Sequence, residues 1–513
     1  MKDGSLFQDI KDEVVEHVRL AIPVSLGMLS NRFIAAVSVA FVGRLGPQLL
    51  APAALATTLS NVIGNSFIIG LTNASSTLAG QAFGAGHYEE VGLVLQRSLG
   101  IVAVCLAPIT LLWLAMGRVL VLAGLDEYMA HKAGEYIIYL IPGLWAYGGK
   151  MAVQNFLHAQ RITKPTAVAG IAAAFLHIPV NYIYMDWFRL GYTGAAMAYS
   201  FTQVLTLALL CAYLYVTGLR HSTWPGWSST ALTGWGPYLQ LALPGVLLLS
   251  EWWASEINVF VAGYLPESDL EVATMAIYQT TVGLAFMIPV GIGMATNVRV
   301  SNNVGARYLA VAQRAALQGP CLCATATITQ AAILMQSREQ WASLFTSDED
   351  LIRRVMMVCV IAAVYMVGDG ITCALGGSLQ GCGRQGQAVW IVLFAYYCVG
   401  LPLSFFFAFV LDWKILGLTA GMCIGTYVHC TIYGILVFTT NWENQALRAE
   451  ILLRKSLSCS MIKLEDGDIE ITDRSLMAAT DDDMESEKFG LLNPSNLEYS
   501  SDSRQIIVTR TFE

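Results

Sequence analysis

The amino-acid sequence predicts an all-α polytopic membrane protein with twelve transmembrane helices in two six-helix lobes. Of its 513 residues, 55% are hydrophobic and only 13% are charged, whereas a soluble protein usually carries about 25% charged residues. The apolar runs are long and continuous, as bilayer-spanning helices require, and lack the alternation of barrel strands. An internal repeat then divides these runs into two sets of six.

Twelve apolar runs are long enough to span a bilayer, which takes about 20 helical residues. They cover residues 19–44, 50–75, 98–115, 134–157, 164–184, 194–216, 238–264, 272–296, 314–336, 353–380, 386–411 and 415–438. An even number of spans places both termini on one side of the membrane. With the termini inside, the inside loops hold about 14 Lys and Arg against about 8 outside, which favours cytoplasmic termini by the positive-inside rule.

The repeat is visible as short matching segments in the same order. Leu20-Ala-Ile-Pro23 opens the first span, and Leu241-Ala-Leu-Pro244 opens the seventh. Gly84-Ala85 follows the second span, and Gly305-Ala306 follows the eighth at the same offset along the chain. Six spans per repeat give both halves the same orientation, so we expect a pseudo-two-fold axis along the membrane normal and a binding cavity between the halves.

The repeat and the polar segments together divide the chain. We expect a cytoplasmic N-terminus at 1–18, a first lobe at 19–217, an inter-lobe loop at 218–237, a second lobe at 238–439 and a disordered acidic cytoplasmic tail at 440–513. The tail holds 15 acids and 8 bases, so it accounts for most of the chain's net charge of −8. Its composition cannot bury enough apolar surface to offset the entropy of ordering it.

The stretch Leu248–Val259 (LLSEWWASEINV), inside the seventh span, carries two carboxylates, Glu251 and Glu256. A charged side chain at membrane depth costs from about 2.5 to more than 10 kcal/mol. Two of them indicate a water-filled cavity, or carboxylates that are protonated for part of a cycle. Since they lie roughly 140° apart around a helix, we expect one to line the cavity and the other to pair within the lobe, with Glu251 carrying the proton. Alternatively, both simply pair with buried bases.

Acids and bases are distributed unequally between the two halves. Asp369 in the tenth span is, like the acids of the seventh, in the second half, whereas Arg32 and Lys150 are bases in the first. When the two halves are aligned by the repeat, Arg32 of the first half lies near the position of Glu251 in the second. Lys150 lies one helical turn from the position that matches Asp369. One hypothesis is that these bases face the cavity, hold the acids in one conformational state and admit anions or zwitterions. The other is that each base snorkels or pairs locally.

Aromatic residues accompany the acids of the second half. Trp252, Trp253, Tyr278, Tyr365 and Phe286 lie on its spans. Helix packing is the ordinary role of such residues, but an aromatic face near a carboxylate also suits a delocalised organic cation. We therefore include Trp252, Trp253 and Tyr278 among the candidate cavity residues.

Four segments resemble the multidrug and toxic compound extrusion (MATE) transporters. Thr77–Gly86 (TLAGQAFGAG) resembles the family segment TLxGQAxGA, and Val300–Ala306 (VSNNVGA) resembles the segment RVSNxLGA of the second half. Gly377–Gly383 (GSLQGCG) is a third match, and Glu251–Glu256 (EWWASE) resembles the animal branch. The resemblance covers residues 15–440 in collinear order.

The glycine segments predict close packing. Glycines permit close helix contacts and a sharp re-entry at the membrane face, and the amides beside them are expected to bond exposed backbone. The residues with this expected structural role are Gly80, Gln81, Gly84, Ala85, Asn302 and Gly305.

The resemblance implies a two-lobed bundle that exports organic cations or xenobiotics in exchange for protons. Glu251 and Glu256 match the family's carboxylates of helix seven, and Asp369 falls where the animal branch has a glutamate in helix ten. Thr280 falls where the animal branch has an acid in helix eight, so that carboxylate is absent and the cation site differs from the animal type. Thr280 itself remains a candidate cavity residue.

Other functions and partners can be assessed from the sequence. It has no nucleophile–base set, metal cluster or P-loop, so we do not expect an enzyme or a cofactor, and no basic stripe that would bind nucleic acid. We expect a monomer in the plasma membrane or an endolysosomal or vacuolar membrane, in contact with lipid. Glu487 with Leu491 and Leu492 resembles an acidic dileucine signal for adaptor binding.

Three alternatives remain open from the sequence. Sodium coupling would use the same carboxylates in place of proton coupling. A flippase for lipid-linked or anionic substrates would favour a basic cavity, which Arg32 and Lys150 keep possible. A non-transporting scaffold would act through its tail.

Overall fold

The structure, a computed structural model, describes residues 2–224, 226–461, 498–499 and 506–507, and these residues are mostly helical. The helices of the first half are α1 Lys2–Gly43, α2 Pro47–Leu59, α3 Ser66–Gly84, α4 Tyr88–Leu114, α5 Met116–Leu122, α6 Glu127–Ala159, α7 Lys164–Tyr182 and α8 Gly191–Thr217. A connection follows with α9 Arg220–Thr223 and a 3₁₀ turn at Ser229–Leu232. The second half contains α10 Trp235–Leu247, α11 Ser250–Ala262, α12 Ser268–Ala285, α13 Met287–Gly305, α14 Leu309–Ser343, α15 Glu349–Gly381, α16 Gln385–Leu393, α17 Leu401–Phe405, α18 Lys414–Phe438 and α19 Trp442–Met461. Four π-helical segments, at Ser60–Asn65, Ile183–Trp187, Phe394–Gly400 and Phe406–Val410, continue neighbouring helices.

These helices form twelve passes in the order predicted from the apolar runs. Nine helical runs within the described ranges are long and apolar enough to cross a membrane. The remaining passes are α6, α14 and the pair α10–α11. The last of these is divided into two helices of 13 residues each, which are individually too short to span a bilayer.

The internal repeat extends to the geometry of the helices. α3 ends at Gly84 and α13 ends at Gly305, which are equivalent positions of the repeat. The π-helical segments Ile183–Trp187 and Phe406–Val410 likewise occur at corresponding places, each at the end of the fifth pass of its half. Each half therefore has the same local backbone features at equivalent positions, as two repeats of six passes related by an axis along the membrane normal should.

Pass one crosses from one lobe to the other. Leu20 and Ala21 of α1 are buried against Ile292 and Ala295 of α13 in the second lobe. Further along the same helix, Ile34 belongs to a cluster of the first lobe. The N-terminal half of α1 therefore packs against the second lobe, although its sequence belongs to the first.

Pass seven crosses in the equivalent way. Tyr238 and Val246 of α10 are part of the first-lobe core, whereas Ala254 of α11 is part of the second-lobe core. The predicted lobe boundaries at residues 19 and 238 mark where each half of the sequence repeat begins. In the folded protein, however, the first part of pass one packs on the second lobe and the first part of pass seven packs on the first lobe.

The lobes meet where α3 crosses α13. An ideal Cβ on Gly84 would lie 1.9 Å from the carbonyl oxygen of Asn302, and one on Gly305 would lie 2.1 Å from the carbonyl oxygen of Gln81. Only glycine allows backbones to approach so closely. Gly84 corresponds to Gly305 in the repeat, and Gln81 corresponds to Asn302, so the two contacts are equivalent and the pseudo-two-fold axis passes between them. We call this crossing the α3–α13 seam.

Hydrogen bonds continue the contact between the lobes beside the seam. The Thr77 hydroxyl donates to the Gln380 carbonyl at 2.8 Å, and Gln81 Nε2 donates to the Gly381 carbonyl at 3.0 Å. Gln385 Nε2 donates back to the Thr77 hydroxyl at 3.0 Å. These bonds lie on the side of the membrane that carries the N-terminus, whereas α2, α11 and α12 towards the other side pack mainly within their own lobes. The protein is therefore closed on the side of the N-terminus.

The beginning of α1 adds ion pairs on the closed side. Glu13 lies 2.9 Å from Arg314 and 3.7 Å from Arg299, both in the second lobe. One helical turn later, Glu16 lies 2.8 Å from Arg161 of the first lobe. The polar start of α1 is thus tied to both lobes.

The seventh pass is interrupted at Leu248–Leu249, immediately before its carboxylates. The Leu248 N–H still donates to the Pro244 carbonyl at 2.9 Å, but the Leu249 N–H donates to the Val246 carbonyl at 3.1 Å, so the backbone tightens at the break. The chain resumes as a helix at Ser250, which places Glu251 in the first turn of α11, where the helix dipole favours a negative charge.

The prediction of disorder from residue 440 is wrong for the first part of the tail, because α19 is an ordered helix. Ala446 and Ala449 are buried. Ala449 belongs to the second-lobe core, while Leu453 packs against the first-lobe core. These residues recur at three- and four-residue spacing on one face of the helix, a pattern that the polar average composition of the tail conceals.

The rest of the tail is described only in part. Glu498–Tyr499 and Ile506–Ile507 pair as two short antiparallel strands. The predicted adaptor site at Glu487, Leu491 and Leu492 lies outside the described residues.

A test of the seam is the substitution Gly84→Ala. The new methyl group would collide with the Asn302 carbonyl, so the two backbones must separate. We expect the free energy of unfolding to fall by about 1–3 kcal/mol, as at other overpacked sites. The measurement is the thermal unfolding midpoint of the purified protein. Gly434→Ala is the matched control, since nothing lies within 4 Å of the Cβ position there. Equal unfolding midpoints for the two variants would contradict the requirement for glycine at the α3–α13 seam.

A second prediction concerns the attachment of α19. Burial works to raise the pKa of Glu450, but hydrogen bonds and charge from Arg307 and Arg454 lower that pKa below its usual value overall. A carboxylate whose pKa is lower in the folded state stabilises the fold at any pH above its unfolded-state pKa. This stabilisation is lost as the pH falls through the folded-state pKa. We expect Glu450→Gln to speed hydrogen exchange of α19 at neutral pH, with the difference from wild type vanishing in acid.

The control for this measurement is Glu443→Gln, which alters an exposed acid in the first turn of the same helix. If both variants exchange alike after correction for intrinsic rates, the Glu450 ion pairs do not hold α19.

Candidate functional site

Glu251 lies inside the second lobe. Its Oε1 accepts a 2.6 Å hydrogen bond from the Tyr396 hydroxyl, and its Oε2 is 3.9 Å from His429 Nδ1. The Tyr397 hydroxyl donates to the Ser250 carbonyl at 3.0 Å and so fixes the start of α11. The carboxylate is thus held by groups from passes eleven and twelve.

Asp369 of α15 completes this arrangement. Its side chain is buried, and its carboxyl group lies beside that of Glu251, close enough for the two groups to interact. Two neighbouring ionised carboxylates repel each other in a low dielectric, so the arrangement favours one proton held by the pair. We call Glu251 and Asp369 the acid pair.

Glycines on both sides of Asp369 allow it to reach this position. An ideal Cβ on Gly368 would lie 3.1 Å from the Tyr427 ring, and one on Gly370 would lie 2.4 Å from the Thr327 methyl group. The flanking glycines therefore let α15 pack closely against two neighbouring helices while the carboxyl group points into the lobe.

Two residues of this site give little signal in the sequence. Besides its bond to Glu251, the Tyr396 hydroxyl lies 3.1 Å from Thr426 Oγ1 and 3.4 Å from His429 Nδ1. Tyr396 and Thr426 are uncharged and lie in apolar runs far apart in sequence. Only the folded chain brings them to Glu251, so sequence reasoning missed both.

Glu256 has different surroundings from Glu251. It is exposed on the surface of α11, and the charge that acts on it is Arg32 of the first lobe. Arg32 also reaches α12, where its Nη2 lies 3.4 Å from an ideal Cβ on Gly283. Thr280 is exposed one helical turn before Gly283. The structure thus brings Glu256, Arg32 and Thr280 together at the gap between the lobes, apart from the acid pair.

Lys150 is enclosed within the first lobe. It is 2% exposed, and its Nζ donates to Asn31 Oδ1 at 3.2 Å and to Gln203 Oε1 at 2.9 Å. The ammonium group also lies 4.5 Å from the centroid of the Tyr147 ring. Its partners are therefore local and uncharged, and the acids of the second lobe are not among them.

The predicted aromatic residues have three different positions. Trp253 stacks against Phe67 of the first lobe, with ring centroids 6.3 Å apart. Trp252 is exposed on α11. Tyr278 is buried beside Tyr365, with centroids 6.4 Å apart. Trp253 is thus the aromatic residue of this set that bridges the lobes.

The glycine-motif residues lie at or beside the α3–α13 seam. This group comprises Gly80, Gln81, Gly84, Ala85, Asn302 and Gly305. An ideal Cβ on Gly80 would lie 2.2 Å from Ser301 Oγ, so Gly80 extends the close contact by one helical turn. The motif therefore joins the lobes and makes no contact with the acid pair.

The chemistry available to the acid pair is proton exchange. Two carboxyl groups, a tyrosine hydroxyl and an imidazole can hold one proton and pass it on. Among the residues that the structure describes, no group of three or more His, Cys, Asp or Glu side chains is arranged to hold a metal ion.

Two repeated helical lobes, with one acidic residue at the gap between them and an acid pair inside the second lobe, are typical of a membrane transporter. The family model MatE matches this chain twice, at residues 23–183 and 245–406. The two matched segments cover equivalent parts of the two halves, in agreement with the internal repeat. The chain belongs to the MatE family, as its motifs predicted.

Known relatives come from plants and animals. The chain is 31% identical over 461 residues to Protein DETOXIFICATION 16 of Arabidopsis thaliana, covering 90% of this chain and 95% of that protein. It is 32% identical over 432 residues to Multidrug and toxin extrusion protein 2 of Oryctolagus cuniculus, covering 84% and 72%. The crystal structure of the eukaryotic MATE transporter AtDTX14 superimposes with a TM-score of 0.83 at 28% identity, covering 86% and 99%. The predicted twelve-helix, two-lobed fold is confirmed.

The shared proton leads to a prediction for carbodiimide labelling. A hydrophobic carbodiimide modifies protonated carboxyl groups in apolar surroundings, so we expect modification at Glu251 or Asp369, read out by peptide mass spectrometry. The variants Glu251→Gln and Asp369→Asn should each lose most of it. Glu256→Gln should keep it, because Glu256 is exposed at the gap near the Arg32 guanidinium and lies outside the enclosed surroundings of the acid pair. Modification confined to Glu256 would contradict the shared proton.

Proposed function

We propose that the protein is a secondary active antiporter, which exports organic cations or xenobiotics in exchange for protons by alternating access. The observation that carries this proposal is the acid pair, in which two carboxyl groups lie side by side inside the second lobe. The names of the relatives, which refer to detoxification and to multidrug and toxin extrusion, support the substrate class.

Exchange follows from competition for negative charge. While the acid pair holds its proton, only one negative charge is buried there. Loss of the proton leaves two negative charges in a low dielectric, which is costly, and a bound cation offsets that cost. The proton and the cation are therefore alternative partners of the same site, and this exclusion couples their movement.

The break in pass seven connects the acid pair to the movement of the lobes. α10 packs on the first lobe, α11 packs on the second, and Glu251 lies just beyond Leu249. A rotation of one lobe against the other must be absorbed near Leu248–Leu249. That movement displaces the first turn of α11 and with it the carboxylate of Glu251.

We further propose that both termini are cytoplasmic, as the distribution of Lys and Arg favours. The closed side then faces the cytoplasm, and the structure corresponds to an outward-facing state. The membrane that we propose is the plasma membrane or an endolysosomal or vacuolar membrane, where outward or lumenal acid drives export.

The proposal includes the simplest set of partners. The protein acts as a monomer in lipid, without a cofactor and without catalysing a reaction, and its coupling ion is H⁺ in preference to Na⁺. Adaptor binding at Glu487, Leu491 and Leu492 remains a proposal for the tail.

The test is uptake of a fluorescent organic cation, rhodamine 123, into proteoliposomes under an imposed pH gradient. We expect gradient-driven uptake by the wild type and a fall to the background of empty liposomes for Glu251→Gln, because the proton site is removed. The control variant is Glu339→Gln, which changes an exposed acid of α14 and should retain wild-type uptake.

Other outcomes identify the alternatives. Uptake that follows a Na⁺ gradient and ignores pH would assign sodium coupling to the same carboxylates. No cation uptake under either gradient would overturn the antiporter and favour the flippase of anionic substrates.

A further inference from the structure

The first lobe contains a buried cation without a carboxylate partner. Lys150 is almost fully enclosed, and its hydrogen-bond acceptors are the neutral side chains of Asn31 and Gln203. Among the residues that the structure describes, Lys150 forms no ion pair. An unpaired charge at membrane depth is costly and by default marks a functional site.

The ammonium group determines how the neighbouring amides are oriented. A lysine ammonium has donors and no acceptor, so the oxygens of Asn31 and Gln203 face Lys150. The NH₂ group of Asn31 is consequently turned away from Lys150, and Asn31 is only half-buried. No hydrogen bond from this NH₂ group exists within the described part of the chain, so it remains a donor for an outside group.

A second amide with an outward-facing NH₂ group lies in the π-helical segment of pass two. Asn65 Nδ2 donates to Asn61 Oδ1 at 2.9 Å, which leaves the NH₂ group of Asn61 to donate outwards, and Asn61 is exposed. The Tyr199 hydroxyl lies near both Gln203 and Asn65, which places this pair of amides beside the partners of Lys150. The polar side chains thus lie between the buried Lys150 and the exposed NH₂ group of Asn61.

Arg32 adds a second cation to this face. It follows Asn31 on α1 and is exposed on the protein surface, and Tyr147, whose ring lies beside the Lys150 ammonium, is also near Arg32. The carboxylate that acts on Arg32 is Glu256 of the opposite lobe, and the two side chains, both described, are too far apart to form a direct ion pair. Guanidinium groups bind carboxylates and related oxyanions through a planar pair of donors.

We propose that this face of the first lobe is an anion subsite, where Arg32 and the NH₂ groups of Asn31 and Asn61 bind the carboxylate or sulfonate of a transported molecule. Lys150 is the positioning residue: it supplies positive potential and keeps the Asn31 amide in its donor orientation, as Asn65 does for Asn61. The subsite rests on the proposed function and narrows its substrate class to zwitterionic organic molecules. The anionic group of such a molecule binds to the first lobe, and its cationic group faces Glu256 and the acids of the second.

The test uses two dyes that differ at one group. Rhodamine 110 has a free carboxylate and rhodamine 123 is its methyl ester, so the ratio of their dissociation constants reports on recognition of the carboxylate. Binding is measured by fluorescence polarisation with the full-length protein in phosphatidylcholine nanodiscs. We expect the wild type to bind rhodamine 110, and Arg32→Gln and Lys150→Met each to shift the ratio against rhodamine 110 by about tenfold, the size of one charge-assisted hydrogen bond.

The matched control is Lys132→Gln, which removes another lysine from α6. Lys132 pairs with Glu135 at 2.8 Å outside the subsite, and its removal should leave the ratio unchanged. Arg32→Lys keeps the charge and loses the planar donors, so its ratio of dissociation constants should lie between those of the wild type and Arg32→Gln. Because Arg32 is exposed, its variants decide the proposal even if Lys150→Met fails to fold.

Two results would overturn the subsite. The first is a wild type that does not bind rhodamine 110, and the second is an unchanged ratio in the Arg32 variants. Proton-driven uptake of rhodamine 123 is measured separately, so a failure there counts against the antiporter and leaves the binding result to decide the subsite.

Discussion

The contact on which the rest of the structure depends is the crossing of α3 and α13. At the seam a backbone carbonyl of each helix occupies the place where a side chain on the other would stand. Such an approach aligns the two halves about a single axis, and it fixes the distance at which all other groups of the two lobes meet. The exchange of the first parts of passes one and seven then covers this contact on both sides.

The two lobes handle buried charge in opposite ways. In the second lobe, the carboxyl groups of Glu251 and Asp369 lie side by side, where one held proton lowers their joint charge, and the Tyr396 hydroxyl donates to one oxygen of Glu251. In the first lobe, the charge of Lys150 is spread over neutral amides and an aromatic ring. The acid pair can take up and release a proton, which suits the second lobe to ion exchange, whereas the first lobe presents amide and guanidinium donors that suit recognition of an anion.

Much of the architecture could be predicted because its signals are local. An apolar run identifies a span, and Glu251, Glu256 and Asp369 stand out because a charge in such a run is rare. Other features were invisible for an equally physical reason. Tyr396 and Thr426 have no charge, the break at Leu248–Leu249 depends on how two lobes hold one pass, and the buried face of α19 is lost in the polar composition around it.

The sequence by itself determined the number of passes, the repeat, the family and which acids lie in the membrane. These properties follow from hydropathy and from glycine positions, which each residue carries wherever the chain folds. Only the tertiary structure decided that Glu251 and Asp369 meet, that Glu256 faces Arg32 at the gap, and that Lys150 orients a network of amides. Each of these depends on side chains from helices distant in sequence, so their geometry exists only once the lobes have packed.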